Sequence, residues 1–129
     1  MKQHHFQEKY PISEVLVMKS ETTCLDTAAV VAYFEAHIHA ADKAVYIATF
    51  NHFAHTKAIG GEIAENILNA FNVIFCFGHA LPNAHVMAVR PRSIGITEFT
   101  DRFSITFMDA PMKPANDAMQ AWALGLRNT

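Results

Sequence analysis

Two pairs of metal-ligand side chains stand out by spacing: His52 with His55, and Cys76 with His79, each pair separated by two residues. Imidazole nitrogen and thiolate sulfur suit zinc, copper or iron, so His52, His55, Cys76 and His79 form a candidate transition-metal site. A two-residue gap lets both members of a pair face one ion only where the backbone turns. Residues three apart on an extended strand point to opposite faces, so Cys76 and His79 need the turn that Gly78 permits. If the two strands involved are parallel neighbours, their exits meet at one sheet edge, where open α/β sheets bind ligands. The plainer alternative is that Cys76, inside an apolar run, is a small buried hydrophobe and that the histidines cap or face solvent. His37 and His39 make a weaker pair, pointing in different directions from a helix, and His4 and His5 lie in a solvated terminal arm.

The same His52 and His55, beside Asn51 and Lys57, also read as acid/base groups, because imidazole titrates near neutral pH. No nucleophile pattern accompanies them. Ser20, Ser93 and Ser104 lack a G-x-S-x-G context, and Cys76 has no adjacent cation in sequence, so no catalytic residue is assigned. Arg90-Pro91-Arg92 offers a third chemistry, two guanidinium groups projecting on one side as a fork for a carboxylate or phosphate. Gly60-Gly61 before a helix could add backbone amides to such an anion site. The alternative pairs Arg90 and Arg92 with Glu98, Asp101 or Asp109 and leaves Gly60-Gly61 as a turn. The ligand-binding set is therefore Asn51, His52, His55, Lys57, His79, Arg90 and Arg92.

These residues need a scaffold. Phe6 to Lys19 contains Val15 to Met18 after Pro11, a first strand entered from a polar arm over residues 1–10. Thr23 and Asp26 resemble a capping box opening a helix through Ala40, with Val30, Val31, Phe34 and Ile38 on its apolar stripe and Glu35 and His39 on the wet side. Val45 to Phe50 reads as a buried central strand ending near Asn51, followed by a loop. Ile63, Ile67 and Phe71 predict a short helix over 62–71, and Val73 to Phe77 a strand buried on both faces. Pro82 and Asn83 open a short helix that Pro91 stops. Ser93 to Phe99 and Phe103 to Met108 form a hairpin, and Pro114 starts a last helix with Ala115, Ala118, Met119, Trp122 and Leu126 on one face. Met108, Met112 and Met119, near Trp122 in sequence, read as core filling or a dimer contact. The sum is an α+β fold, a two-layer sandwich of one mixed β-sheet of about five strands with helices packed mainly on one face.

At 129 residues the chain fits a single domain over 1–129. A hydrophobic share of 51% with 17% charged residues argues against disorder, and the polar-poor surface points to self-association as a homodimer. A net charge of −2 supplies no basic field for nucleic acid. The polar start, MKQHHFQEKY, and the lack of a long apolar run predict a cytoplasmic protein with neither leader nor membrane partner. Cys24 and Cys76 are too few and too distant for a secreted disulfide framework.

The order of a helix, an apolar strand ending in Asn51-His52, a short helix, VIFCFG over Val73 to Gly78 and a terminal hairpin resembles the small bacterial family called domain of unknown function 302. The likeness spans roughly Val15 to Pro111. It implies a compact α+β fold, often dimeric, and lends no catalytic residue. After the glycine this chain has His79-Ala80 where that family would have Asn-Pro. The functional expectation is a domain that binds a small ligand, such as an anion, or a metal ion at the strand exits near His52, His55, His79 and Arg90. A small histidine- or metal-dependent enzyme and a homodimeric interaction module are the alternatives.

Overall fold

A computed structural model describes all residues, 1–129. Strands β1 (Lys2–Phe6) and β2 (Tyr10–Met18) form an antiparallel hairpin turning at Gln7 and Glu8, both in the left-handed region (φ 53° and 63°). Alternation in β2 sends Ser13, Val15 and Val17 into the interior and leaves Glu14 and Leu16 half-buried on the other side. Helix α1 (Thr27–Ala40) is followed by β3 (Ala44–Asn51), a two-turn helix α2 (His52–Ala58) and β4 (Asn69–Phe77). A 3-10 turn over Ala84–Ala88 precedes the hairpin of β5 (Arg92–Glu98) and β6 (Arg102–Met108), and helix α3 (Lys113–Gly125) ends the chain. The six strands form one sheet in the order β1-β2-β6-β5-β4-β3, antiparallel at every pairing.

Helices α1 and α3 supply Val30, Phe34, Ile38, Met119, Trp122, Ala123 and nearby Leu126 to a core closed from below by Val15, Val17, Val73, Phe75, Ile94, Ile96, Phe103, Ile105 and Phe107. The strand contributors share one parity in each strand, so the helices cover one face of the sheet. Asp26 itself caps α1, its carboxylate accepting from the Ala29 amide at 2.8 Å. Thr23, expected to open a capping box, instead donates its amide to Asn128 Oδ1 at 2.8 Å. Val30, Phe34 and Ile38 are buried as the stripe predicts, while Val31 is half-buried. No helix is long and apolar enough to cross a membrane.

The α+β class and the one-sided helices agree with the sequence reading, but the sheet differs. It has six strands rather than about five, and it is antiparallel rather than mixed. The extra strand comes from the polar arm, whose Lys2–Phe6 backbone satisfies its hydrogen bonds on the edge of β2 while every side chain stays exposed. His4, expected to be solvated, has Nε2 3.1 Å from Glu14 Oε1. The run Val45 to Phe50 is an edge strand, not a central one, and Val45 and Ile47 are more than half exposed. The strand Val73 to Phe77 buries one face, because helices cover only that side. It also starts earlier, at Asn69, so the helix expected over 62–71 is absent. An isolated short helix is marginal, and here Asn69 to Phe71 instead extend ladders to β5 and, at Phe71, to β3.

Glu98, at the end of β5, ties the two layers together. Its carboxylate accepts from Thr27 N and Oγ1 at 3.1 and 2.6 Å, at the first residue of α1, and from Lys19 Nζ at 2.8 Å. Burial alone would raise the Glu98 carboxyl, but the Lys19 and Thr27 hydrogen bonds and the Lys19 charge outweigh it and hold it below the ordinary glutamate range. A carboxylate depressed in the folded state contributes stability that is present above its unfolded pKa and lost as pH falls through the folded one. Stability is therefore expected to decline as pH falls below about 4.5. Glu98→Gln should flatten that limb, and urea midpoints measured at about pH 6, 4 and 3 would show it; an unchanged slope would remove Glu98 as the cause.

Candidate functional site

Asn51 ends β3 and caps α2, its side chain accepting from the Ala54 amide at 2.9 Å. The segment expected to be a loop is therefore helical, and His52 and His55 lie one turn apart. Their ring centroids are 6.1 Å apart, and the Phe50 ring stands 5.3 and 5.2 Å from the two. His52 Nδ1 lies 3.2 Å from Asn72 Oδ1, and Asn72 Nδ2 donates to Ser93 Oγ at 3.1 Å, a polar chain across the uncovered sheet face. Lys57 reaches over the Phe53 ring, 5.5 Å from its centroid. Thr56 donates to the His52 carbonyl at 2.9 Å. Gly60 and Gly61 give their amides to the Lys57 and Thr56 carbonyls, closing α2, so they form a turn and not an anion cradle.

Cys76 and His79 sit at the other end of the same hairpin. The register pairs Asn51 with Phe71 and Ala44 with Phe77, so the chain leaves β3 at one end of the sheet and leaves β4 at the opposite end. A strand rising about 3.4 Å per residue separates the two exits by roughly 24 Å. The four-residue metal site expected from parallel strands is therefore not formed. No group of three or more His, Cys, Asp and Glu side chains is placed to hold a metal ion.

What gathers around His79 is a different set. Lys43, just before β3, joins His79 and Arg90 around a cavity of about 340 Å³ that Phe77, Gly78, Ala80, Met112 and Pro114 complete. No acidic residue lines it, and none of the three basic side chains has a carboxylate partner. Arg90 donates from Nη1 to the Ala80 carbonyl. Gly78 has φ 99°, and a Cβ there would stand 2.8 Å from Arg90 Nη2, so the missing side chain lets the guanidinium lie against the backbone. Lys43 carries no sequence signal for this role. It arrives because the Gly78 amide pairs with the Lys43 carbonyl at 2.7 Å, just beyond the β3–β4 ladder.

Arg90 and Arg92 do not form one fork. Arg92 is 9% exposed and spends its guanidinium on the carbonyls of Met108 and Val89, while Arg90 lies on the Gly78 loop. The expected ion pairs are also absent: Glu98 holds Lys19, Asp101 holds Arg102, and Asp109 accepts from Ser13 and Gln3. Arg92 Nε is buried without a partner. Burial lowers the Arg92 pKa, opposed by the nearby charge of Asp109. It lines the largest cavity, about 450 Å³, with Asn72, Ser93, Gly95 and Thr106 on the uncovered face.

A family model described as a family of unknown function, DUF6858, matches residues 1–128, and the chain belongs to that family. The resemblance to domain of unknown function 302 is not confirmed. Neither the curated proteins nor the solved structures searched contain a match.

Arg92 is a structural tie on this reading. Hydrogen bonds from charged donors contribute about 1.5–3 kcal/mol each, so Arg92→Met should lower stability by about 2 kcal/mol after the gain from removing an orphaned Nε. Urea unfolding checks this, and a neutral or stabilised variant would show that the tie is dispensable.

Proposed function

With the chain placed in a family that carries no assigned activity, we propose that the domain binds a small anionic ligand at the sheet end formed by Lys43, His79 and Arg90. One observation carries this reading: three basic side chains around one cavity with no carboxylate among its lining residues, in a chain of net charge −2. Unpaired cations at a concave, partly apolar site raise the local concentration of anions and can hold a carboxylate or phosphate by charge-assisted hydrogen bonds. Of the residues expected from sequence, His79 and Arg90 enter this reading. Asn51, His52, His55 and Lys57 belong to the α2 end, and Arg92 is occupied by backbone carbonyls.

Titration with inorganic phosphate, followed by amide chemical shifts, is expected to move the resonances of Lys43 and Gly78 to Ala80. Arg90→Gln should weaken binding about tenfold, the loss of one charge-assisted contact. Absence of any shift in that loop at saturating phosphate would rule the reading out.

A second reading, homodimerisation, is favoured by the β3 edge. There the backbone lacks a neighbour on one side, and Val45 and Ile47 are 53% and 52% exposed. Sedimentation equilibrium should then give twice the mass of the chain, and Val45→Lys, which lines no cavity, should shift it to monomer. A monomeric wild type rejects this reading.

A further inference from the structure

A second cavity lies against the first and shares Gly78, His79, Ala80 and Arg90 with it. It encloses about 280 Å³, and the rest of its lining is predominantly apolar: Ile47, Cys76, Leu81, Met87 and Pro91, with a residue from the edge strand facing residues of the loop after β4. Ile47 is the unpaired residue at a register shift in β3, between Tyr46 opposite Phe75 and Ala48 opposite Ile74, and it lines this cavity together with Cys76. Leu81 and Met87 are 73% and 63% exposed, and Ile47 about half exposed. Three large apolar side chains bordering one concavity form a surface that gains by being covered, and methionine adapts its shape to an occupant.

Basic groups are confined to the boundary between the two cavities and to the side beyond it. Arg90 and His79 line both, and Lys43 lines only the first. An occupant that matches both halves has a negative head and an apolar body, the head at Arg90 and the body along Ile47, Leu81 and Met87. We infer that the ligand is an anionic amphiphile of the medium-chain carboxylate class. This rests on the anion reading above and adds the apolar half to it. A fully polar anion leaves the apolar border in water, and a neutral apolar molecule leaves Arg90 and Lys43 uncompensated.

Calorimetric titration with octanoate, acetate, octanol and inorganic phosphate, each as a separate monomeric solute, tests it on the full chain. Octanoate is expected to bind about a hundredfold more tightly than acetate, since each buried methylene contributes about 0.8 kcal/mol and only part of the chain is covered. Leu81→Ser, a neutral change at a side chain 73% exposed, should cut that advantage and leave phosphate binding in place. Arg90→Gln should weaken octanoate and phosphate together. Equal affinity for octanoate and acetate, with phosphate still binding, overturns the amphiphile and leaves the anion site. Octanol binding as tightly as octanoate, insensitive to Arg90→Gln, overturns both. No binding by any of the four overturns both as well.

Discussion

Antiparallel pairing of β3 with β4 decides where the reactive side chains of this protein end up. The two strands run in opposite directions over the whole length of β3, so the chain leaves one at Asn51 and the other at Phe77, at opposite ends of the ladder. His52 and His55 are carried to one end, His79 to the other. A parallel pair would have delivered all of them to a single edge. The same pairing brings the residues that enter β3 beside the residues that leave β4, which is how Lys43 comes to face Gly78 and His79. The basic cavity is therefore a product of strand direction, and no local motif encodes it.

The second constraint is that the sheet has helices on one side. Core side chains alternate strictly along β2, β4, β5 and β6, and the opposite parity across the middle of the sheet is mostly polar, with Glu14, Asn72, Ser93, Gly95, Thr97, Ser104 and Thr106 beside Leu16 and Ile74. Four of them pair within this face: Asn72 links His52 to Ser93, and the Ser104 hydroxyl donates to Glu14 at 2.7 Å. Toward β3 the character changes to Val45, Ile47, Phe50 and Cys76. An antiparallel sheet tolerates a wet face, and the polar stretch needs no cover. The apolar stretch at the edge is the part of this face that stands uncovered, with Val45 and Ile47 about half exposed.

Charge is drawn out of water at two points, partly at Glu98 and fully at Arg92, both at sheet ends. Glu98 binds Lys19 and the first turn of α1 at one end, and Arg92 binds the carbonyls of Met108 and Val89 at the other. Glu98 has a full set of partners and its carboxyl is held in the charged form, whereas Arg92 keeps one unpartnered nitrogen and depends on Asp109 nearby to offset its burial. The contrast explains why arginines adjacent to one proline take different roles. Arg90 stays half-buried against Gly78 with Nη1 on the Ala80 carbonyl, and Arg92 is buried on the carbonyls of Met108 and Val89.

Sequence alone determined the elements with strong local patterns. The stripe of Val30, Phe34 and Ile38, the alternation of the β5–β6 hairpin, the strand at Val73 to Phe77 and the proline-started last helix are set by side-chain period and turn chemistry, which act over a few residues. The α+β class and the one-sided helix layer follow from their order. His79 and Arg90 were legible as candidates because their chemistry is intrinsic. Tertiary structure decided the rest. Lys2–Phe6 is polar and becomes a strand because β2 offers it backbone partners, and Asn69 to Phe71 extend a strand because neighbouring strands complete their hydrogen bonds where a short helix could not stand alone. Strand direction, the edge position of β3 and the meeting of Lys43 with Arg90 depend on contacts between segments far apart in the chain, and those leave no trace in local spacing.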